Sequence, residues 1–134
     1  MTRQAPLLLL VLVACRDSMN ARDFKKALEP KVVTFLCDHD RPAHELPSYY
    51  RNCFDVDEAQ CTAVMQRKVH ACAERLVHGT VDESNAGKLA VRIGACAGSD
   101  YERELEGQGK LTRSHACDVA RDAYAKDRAA NGEP

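Results

Sequence analysis

The chain has 134 residues, with 19 Lys and Arg against 20 Asp and Glu for a net charge of −1, and it carries four Tyr, three Phe and no Trp. That length suits one domain and leaves no room for a second. Acidic and basic residues are interspersed, so nothing points to nucleic acid or an anionic membrane face, and a core poor in aromatics must rest on Leu, Val, Ala, Met and Cys.

Residues 7–15 read LLLLVLVAC, preceded by Arg3 and followed at once by Arg16 and Asp17. A spanning helix needs about 20 apolar residues to cross roughly 30 Å of hydrocarbon, so this run is too short. A basic start, a short apolar middle and a small residue at the end describe a secretory signal. An ordinary signal cut after Ala14 would place Leu12 where a small residue is wanted, which weighs against that reading, and a buried segment of a cytosolic protein ranks lower still. Leu12-Val13-Ala14-Cys15 closely resembles the lipobox of bacterial lipoproteins. The resemblance implies cleavage before Cys15, a diacylglycerol on its thiol and durable attachment through several acyl chains. Arg16 behind the cysteine, where aspartate favours inner-membrane retention, points to the outer membrane with the domain in the periplasm. The expected layout is a signal peptide over 1–14, a tether over 15–22, a helical domain over 23–130 and a polar tail over 131–134. Removing residues 1–14 from the 134 leaves 120 and takes the net charge from −1 to −2.

From Ala21 a helical pattern runs through Phe24, Leu28, Val32 and Phe35 or Leu36 to Cys37, with Pro30 expected to end or kink it. Residues 38–47, DHDRPAHELP, have two prolines and alternating charges, which is loop chemistry. SYYRNCF over 48–54 predicts a short helix that sets Tyr49, Tyr50 and Phe54 beside Cys53. Asp55 or Asp57 can cap the next helix, whose first turn carries Glu58 against the dipole. Within it Cys61, Met65, Val69, Cys72 and Leu76 recur at spacings of four, four, three and four, which places all five on one face of the central helix.

Gly79 and Thr80 follow that helix, and residues 78–85 make a polar loop. From Ala86 to about Glu106, Leu89, Ile93 and Cys96 predict a core stripe, with Gly94 as the point of close approach to a neighbour. Gly107-Gln108-Gly109 stops this segment, and a last helix from Thr112 carries Ala116, Cys117, Ala120 and Tyr124. No β pattern or internal repeat is visible. The expected fold is all-α, a small disulfide-stapled bundle of about four helices.

Of the seven cysteines, Cys15 is the lipid site, which leaves Cys37, Cys53, Cys61, Cys72, Cys96 and Cys117. An even number in an exported chain implies three disulfides. Zinc is the rival, because His39 and His44 follow Cys37 and because His70-Ala71-Cys72 and His115-Ala116-Cys117 repeat one pattern. With no CxxC pair, and with histidines on a different helical face from the cysteines two places away, metal is not expected. In an antiparallel helix pair, residues equally far from the turn lie opposite each other. That count sets Cys117 near Cys96, while Cys53, just before the central helix, most easily reaches Cys61 near its start and leaves Cys37 for Cys72, one of fifteen possible pairings.

YYRNCF–x6–C–x10–C together with IGACAGSDYE over 93–102 resembles a group of small bacterial exported and lipid-anchored proteins that pair YYxxCF with IGxCAGxxYE. The resemblance covers about residues 37–117 and departs from the group between Lys88 and Arg92, where a tryptophan and a glycine are common. It implies the fold and transfers no activity. Tyr49, Tyr50, Phe54, Gly94, Gly98 and Tyr101 are its packing residues.

The leading functional expectation is a non-enzymatic envelope lipoprotein, membrane-bound through Cys15, that meets an envelope protein or cell-wall partner through Asp38, His39, Asp40 and His44. The alternative is an immunity or inhibitor protein that neutralises a periplasmic toxin or hydrolase. A third case, catalysis by the same Asp38-His39-Asp40 and His44 cluster, ranks below both. None of Ser48, Ser84, Ser99 or Ser114 sits in a G-x-S-x-G elbow, and no cofactor is expected because neither a P-loop nor a Rossmann glycine pattern occurs.

Overall fold

The computed structural model describes residues 18–38 and 48–130, the side chains of 127 and 128 excepted. The predicted signal, residues 15–17 of the tether with Cys15, His39, Asp40, His44 and the tail lie outside the described residues. Among the described residues there are five helices and one two-stranded ribbon. No helix among them is long and apolar enough to cross a membrane.

Strand β1 (Met19–Asn20) leads into α1 (Ala21–Cys37), where the Asn20 side chain accepts a hydrogen bond from the Asp23 amide at 2.9 Å. Phe24, Leu28, Val32, Val33 and Leu36 are buried along one face. Pro30 neither ends nor divides this helix. Proline inside a helix removes one hydrogen bond and costs about 3 kcal/mol. Here Pro30 and Lys26, whose carbonyl loses that bond, are both exposed to water, and the apolar stripe continues on the buried face on either side.

Helix α2 (Tyr49–Cys53) starts at Ser48, whose side chain accepts from the Arg51 amide at 3.3 Å and donates to the Leu36 carbonyl, so this short helix is fixed to the end of α1. Helix α3 (Glu58–Leu76) opens with a reciprocal cap between Asp57 and Gln60. Its buried face is Cys61, Met65, Val69, Cys72 and Ala73, with Leu76 partly buried. Gly79, at φ +71°, turns the chain into β2 (Thr80–Val81), which pairs antiparallel with β1 through Met19 with Val81 and Asn20 with Thr80. The sequence carries no sign of this ribbon because alternation cannot be read over two residues.

Helix α4 (Ala86–Gly107) buries Ala86, Ala90, Ile93, Ala97, Gly98, Tyr101 and Leu105, whereas Leu89 and Cys96 are only partly buried. The seam is thus offset from the expected stripe and built largely of small residues, which let α3 and α1 come close. The close approach falls at Gly98 instead of Gly94. A Cβ at 94 would meet Val32 Cγ1 at an ordinary 3.9 Å, whereas one at 98 would collide with the Tyr50 hydroxyl. Gly109, at φ +68°, then lets the chain fold back, and Leu111 pairs with Phe54 in an isolated bridge. Backbone bonds from Asp55 N to Lys110 O at 2.9 Å and from Thr112 N to Cys53 O at 2.7 Å extend that contact. Helix α5 (His115–Ala130) follows Ser114, whose hydroxyl accepts from the Cys117 amide at 3.1 Å.

Helix α3 is the centre, with α1 and α4 packed on it as a three-helix bundle, while α5 docks on α2 at one side. All six described cysteines are paired, as Cys37–Cys61, Cys53–Cys117 and Cys72–Cys96. None of the three pairings expected from loop lengths occurs. The equal-distance count presumed that α4 and α5 are antiparallel neighbours, but α5 leaves α4 and lies on α2, so Cys117 meets Cys53. The α1–α3 and α3–α4 pairs are in contact, and each carries one bridge. Both of their bridges span a sequence separation of 24, with Cα atoms 5.8 and 6.0 Å apart.

Candidate binding groove

Tyr49 and Tyr50, successive residues of α2, project into the space between α4 and α5. The Tyr49 ring stacks on Tyr124 with centroids 5.0 Å apart and planes 3° from parallel. Its hydroxyl donates to Glu102 Oε1 at 2.9 Å. Tyr50 stacks on Tyr101 at 5.8 Å, and its hydroxyl lies 3.2 Å from that of Tyr124. The two motif segments therefore meet in space: Tyr49 bonds Glu102, and Tyr50 covers Gly98 and Tyr101.

Outside this aromatic cluster lies a groove of about 730 Å³. Glu102 and Glu106, one helical turn apart on α4, line one wall. Tyr49, Tyr124 and Ala125 line its aromatic and apolar side, and Arg121, Asp118, Arg113 and Leu111 complete it. Arg121 pairs with Asp118 at 3.6 Å, within its own helix. Arg113 makes no ion pair with any described residue, and Leu111 is one of two large apolar side chains that stay exposed among the described residues. Two acids of α4 thus share the groove with Arg113, Arg121 and Asp118.

Burial, then the bond to Glu102 and its negative charge, push the Tyr49 hydroxyl far above the ordinary phenol range, with Arg121 opposing. Burial, followed by the neighbouring Tyr124, pushes Tyr50 in the same direction. Both phenols stay protonated at any physiological pH. They serve as hydrogen-bonding hydroxyls, Tyr49 as a donor to Glu102, and as flat apolar surface, not as bases. The chemistry on offer is recognition of a ligand that carries both an anionic and a cationic group.

Of the residues singled out in the sequence, Asp38 is partly buried and caps α1, with its amide bonded to Thr34 O at 2.9 Å. His39, Asp40 and His44 lie outside the described residues, so the structure assembles no site from that loop. His78 donates to the Arg75 carbonyl at 2.7 Å in the last turn of α3, and exposed His70 meets Glu29 at 3.0 Å. Cys72 Sγ, Cys96 Sγ and an Asp100 oxygen lie within 4.8 Å of one another, but the two sulfurs are bonded together and neither is a thiolate. The groove residues Glu102, Glu106, Arg113, Arg121 and Tyr124 were not anticipated. The only sequence signal toward them was the pairing of the YYRNCF and IGACAGSDYE segments, which ends on Glu102.

No protein-family model, curated protein or solved structure matches the chain.

Proposed function

We propose that this is a lipid-anchored protein of the bacterial cell envelope that acts as a non-enzymatic binding module, with the groove between α2, α4 and α5 as its recognition surface. The observation that carries this reading is a groove lined by both carboxylates and guanidinium groups, whose aromatic side is fixed by hydrogen bonds and a disulfide. Closure of all six downstream cysteines into disulfides also supports export to an oxidising compartment and leaves Cys15 as the odd thiol, directly behind an apolar leader. The ligand is a partner with exposed carboxylate and ammonium groups, a protein surface or cell-wall peptide.

The test uses the full chain expressed in a bacterial host. Palmitate labelling should be present, and Cys15→Ser should abolish it together with membrane retention. Photo-crosslinkers placed at Leu111 should trap an envelope partner, and the double variant Arg113→Glu/Arg121→Glu should lose it. Trapping that survives charge reversal but fails when Asp38, His39, Asp40 and His44 are replaced would move the surface to the 38–47 loop.

A further inference from the structure

The three disulfides differ in how water and reagents reach them. Cys37, Cys61, Cys53, Cys117 and Cys72 are all buried, at 0–2 % exposure, and Cys96 alone is partly exposed. Cys96 lies at the edge of the α4 seam and is not among the residues that line the groove. Over it lies Arg75, whose side chain is 65 % exposed. Its Nη2 is 2.8 Å from Cys96 Sγ and 3.6 Å from Cys72 Sγ. Asp100, paired with Arg103 and 3.9 Å from Arg75, contributes the one carboxylate beside the sulfurs.

Thiol–disulfide exchange needs an accessible sulfur to attack and a positive charge to hold the thiolates that form. Cys117 also has a guanidinium beside it, Arg121 Nη2 at 3.4 Å, but both sulfurs of that bridge are buried. An accessible sulfur and a cation therefore occur together only at Cys72–Cys96 among the described bridges. We infer that Cys72–Cys96 is a thiol-exchange site, reduced by an external dithiol that attacks at Cys96 while Arg75 holds the departing charge. The incoming thiolate forms a bond to Cys96 Sγ. The Cys72–Cys96 bond breaks, and its electron pair leaves on Cys72 Sγ beside the guanidinium. The second thiol of the reagent then attacks the reagent's own sulfur in the mixed disulfide and frees Cys96 as a thiolate 2.8 Å from Arg75. The reagent loses two electrons and becomes a disulfide. The protein gains those two electrons and takes up, as two thiol protons, the ones the reagent gives up. The bundle survives the step, because Met65, Val69, Ala90, Ile93 and Ala97 stay packed between α3 and α4 and the Cys37–Cys61 and Cys53–Cys117 bridges remain.

The experiment is a time course of the folded, purified full chain in low-millimolar dithiothreitol without denaturant, quenched in acid, alkylated and mapped by peptide mass. Cys72 and Cys96 should become alkylated at least about tenfold faster than the other four, with the helical circular dichroism unchanged. Arg75→Gln should slow that step several-fold, and Asp100→Asn, which removes the like charge, should speed it. Both are surface changes that leave the core intact. Reduction of all three bridges together, or of Cys53–Cys117 first, overturns the inference. An unchanged rate in Arg75→Gln overturns the role of the guanidinium. Because the assay needs no groove ligand, its failure leaves the binding proposal standing, and loss of partner trapping leaves the exchange site standing.

Discussion

The α1–α3–α4 bundle and the α2–α5 pair reach order by different means. In the bundle, helices of 17, 19 and 22 residues lie beside their neighbours in chain order and bury a mainly aliphatic seam through Leu28, Val32, Met65, Val69 and Ile93. Its two bridges close short loops of equal length. The α2–α5 pair joins a five-residue helix to one that begins more than sixty residues later, through a disulfide with a sequence separation of 64. Among its described side chains, helix α5 contributes only Cys117 and Ala120 to the fully buried set, together with the partly buried Tyr124. The bundle is held by packing and reinforced by its bridges, whereas the pair that carries the groove depends on its bridge and on tyrosine hydrogen bonds.

The sharpest way to break this contrast is to damage each region in turn. Met65→Ala, at a fully buried site of α3, should cost about 2–5 kcal/mol and lower the melting temperature of the whole chain. Replacing Cys53 and Cys117 together by Ala should cost about 2–4 kcal/mol, and its effect should be local. In hydrogen exchange, amides of 115–130 should open well before those of 58–76. A uniform loss of protection would show that α5 is integral to the bundle.

Gly98→Ala lies where the regions meet. The added methyl displaces the Tyr50 hydroxyl and should cost about 1–3 kcal/mol, with a change in the near-ultraviolet tyrosine signal. Gly94→Ala should be tolerated by comparison, and equal damage at both positions would contradict the packing described. Tyr124→Phe removes the partner of the Tyr50 hydroxyl and should cost about 1 kcal/mol with no change in helical content.

The effect of pH discriminates too. Tyr49 and Tyr50 have folded values raised above the unfolded phenol near about pH 10, so the folded state holds protons that the unfolded state gives up. Stability from these groups is complete below about pH 10 and declines as pH rises above it. Absorbance near 295 nm should show the three buried tyrosines, Tyr49, Tyr50 and Tyr101, the last also raised by burial, ionising only as the protein unfolds. At the acid end, Glu74, held low by Lys25, and Asp82, held low by Ser84, give small losses of stability as pH falls through the carboxylate range.

Sequence reading did best where one helix carries its own pattern. Large apolar residues at Cys61, Met65 and Val69 defined α3, and Asp57 was among the two caps expected for it. It failed where partners are distant. Nothing near Cys117 says that α5 turns away from α4, because that path depends on Gly109 and on the pairing of Leu111 with Phe54. The α4 seam was misplaced because Leu89 outranks Ala90 and Ala97 in hydrophobicity, although small residues are what a close helix contact selects. The groove draws Tyr49, Glu102 and Arg121 from three helices and leaves no local pattern.

The central claim is that α5 is tied to α2 beside an independently stapled bundle, and a peptide map under non-reducing conditions tests it most directly. Linked peptides joining Cys37 to Cys61, Cys72 to Cys96 and Cys53 to Cys117 are the predicted result. A peptide joining Cys96 to Cys117 would place α5 against α4, remove the groove and contradict the account.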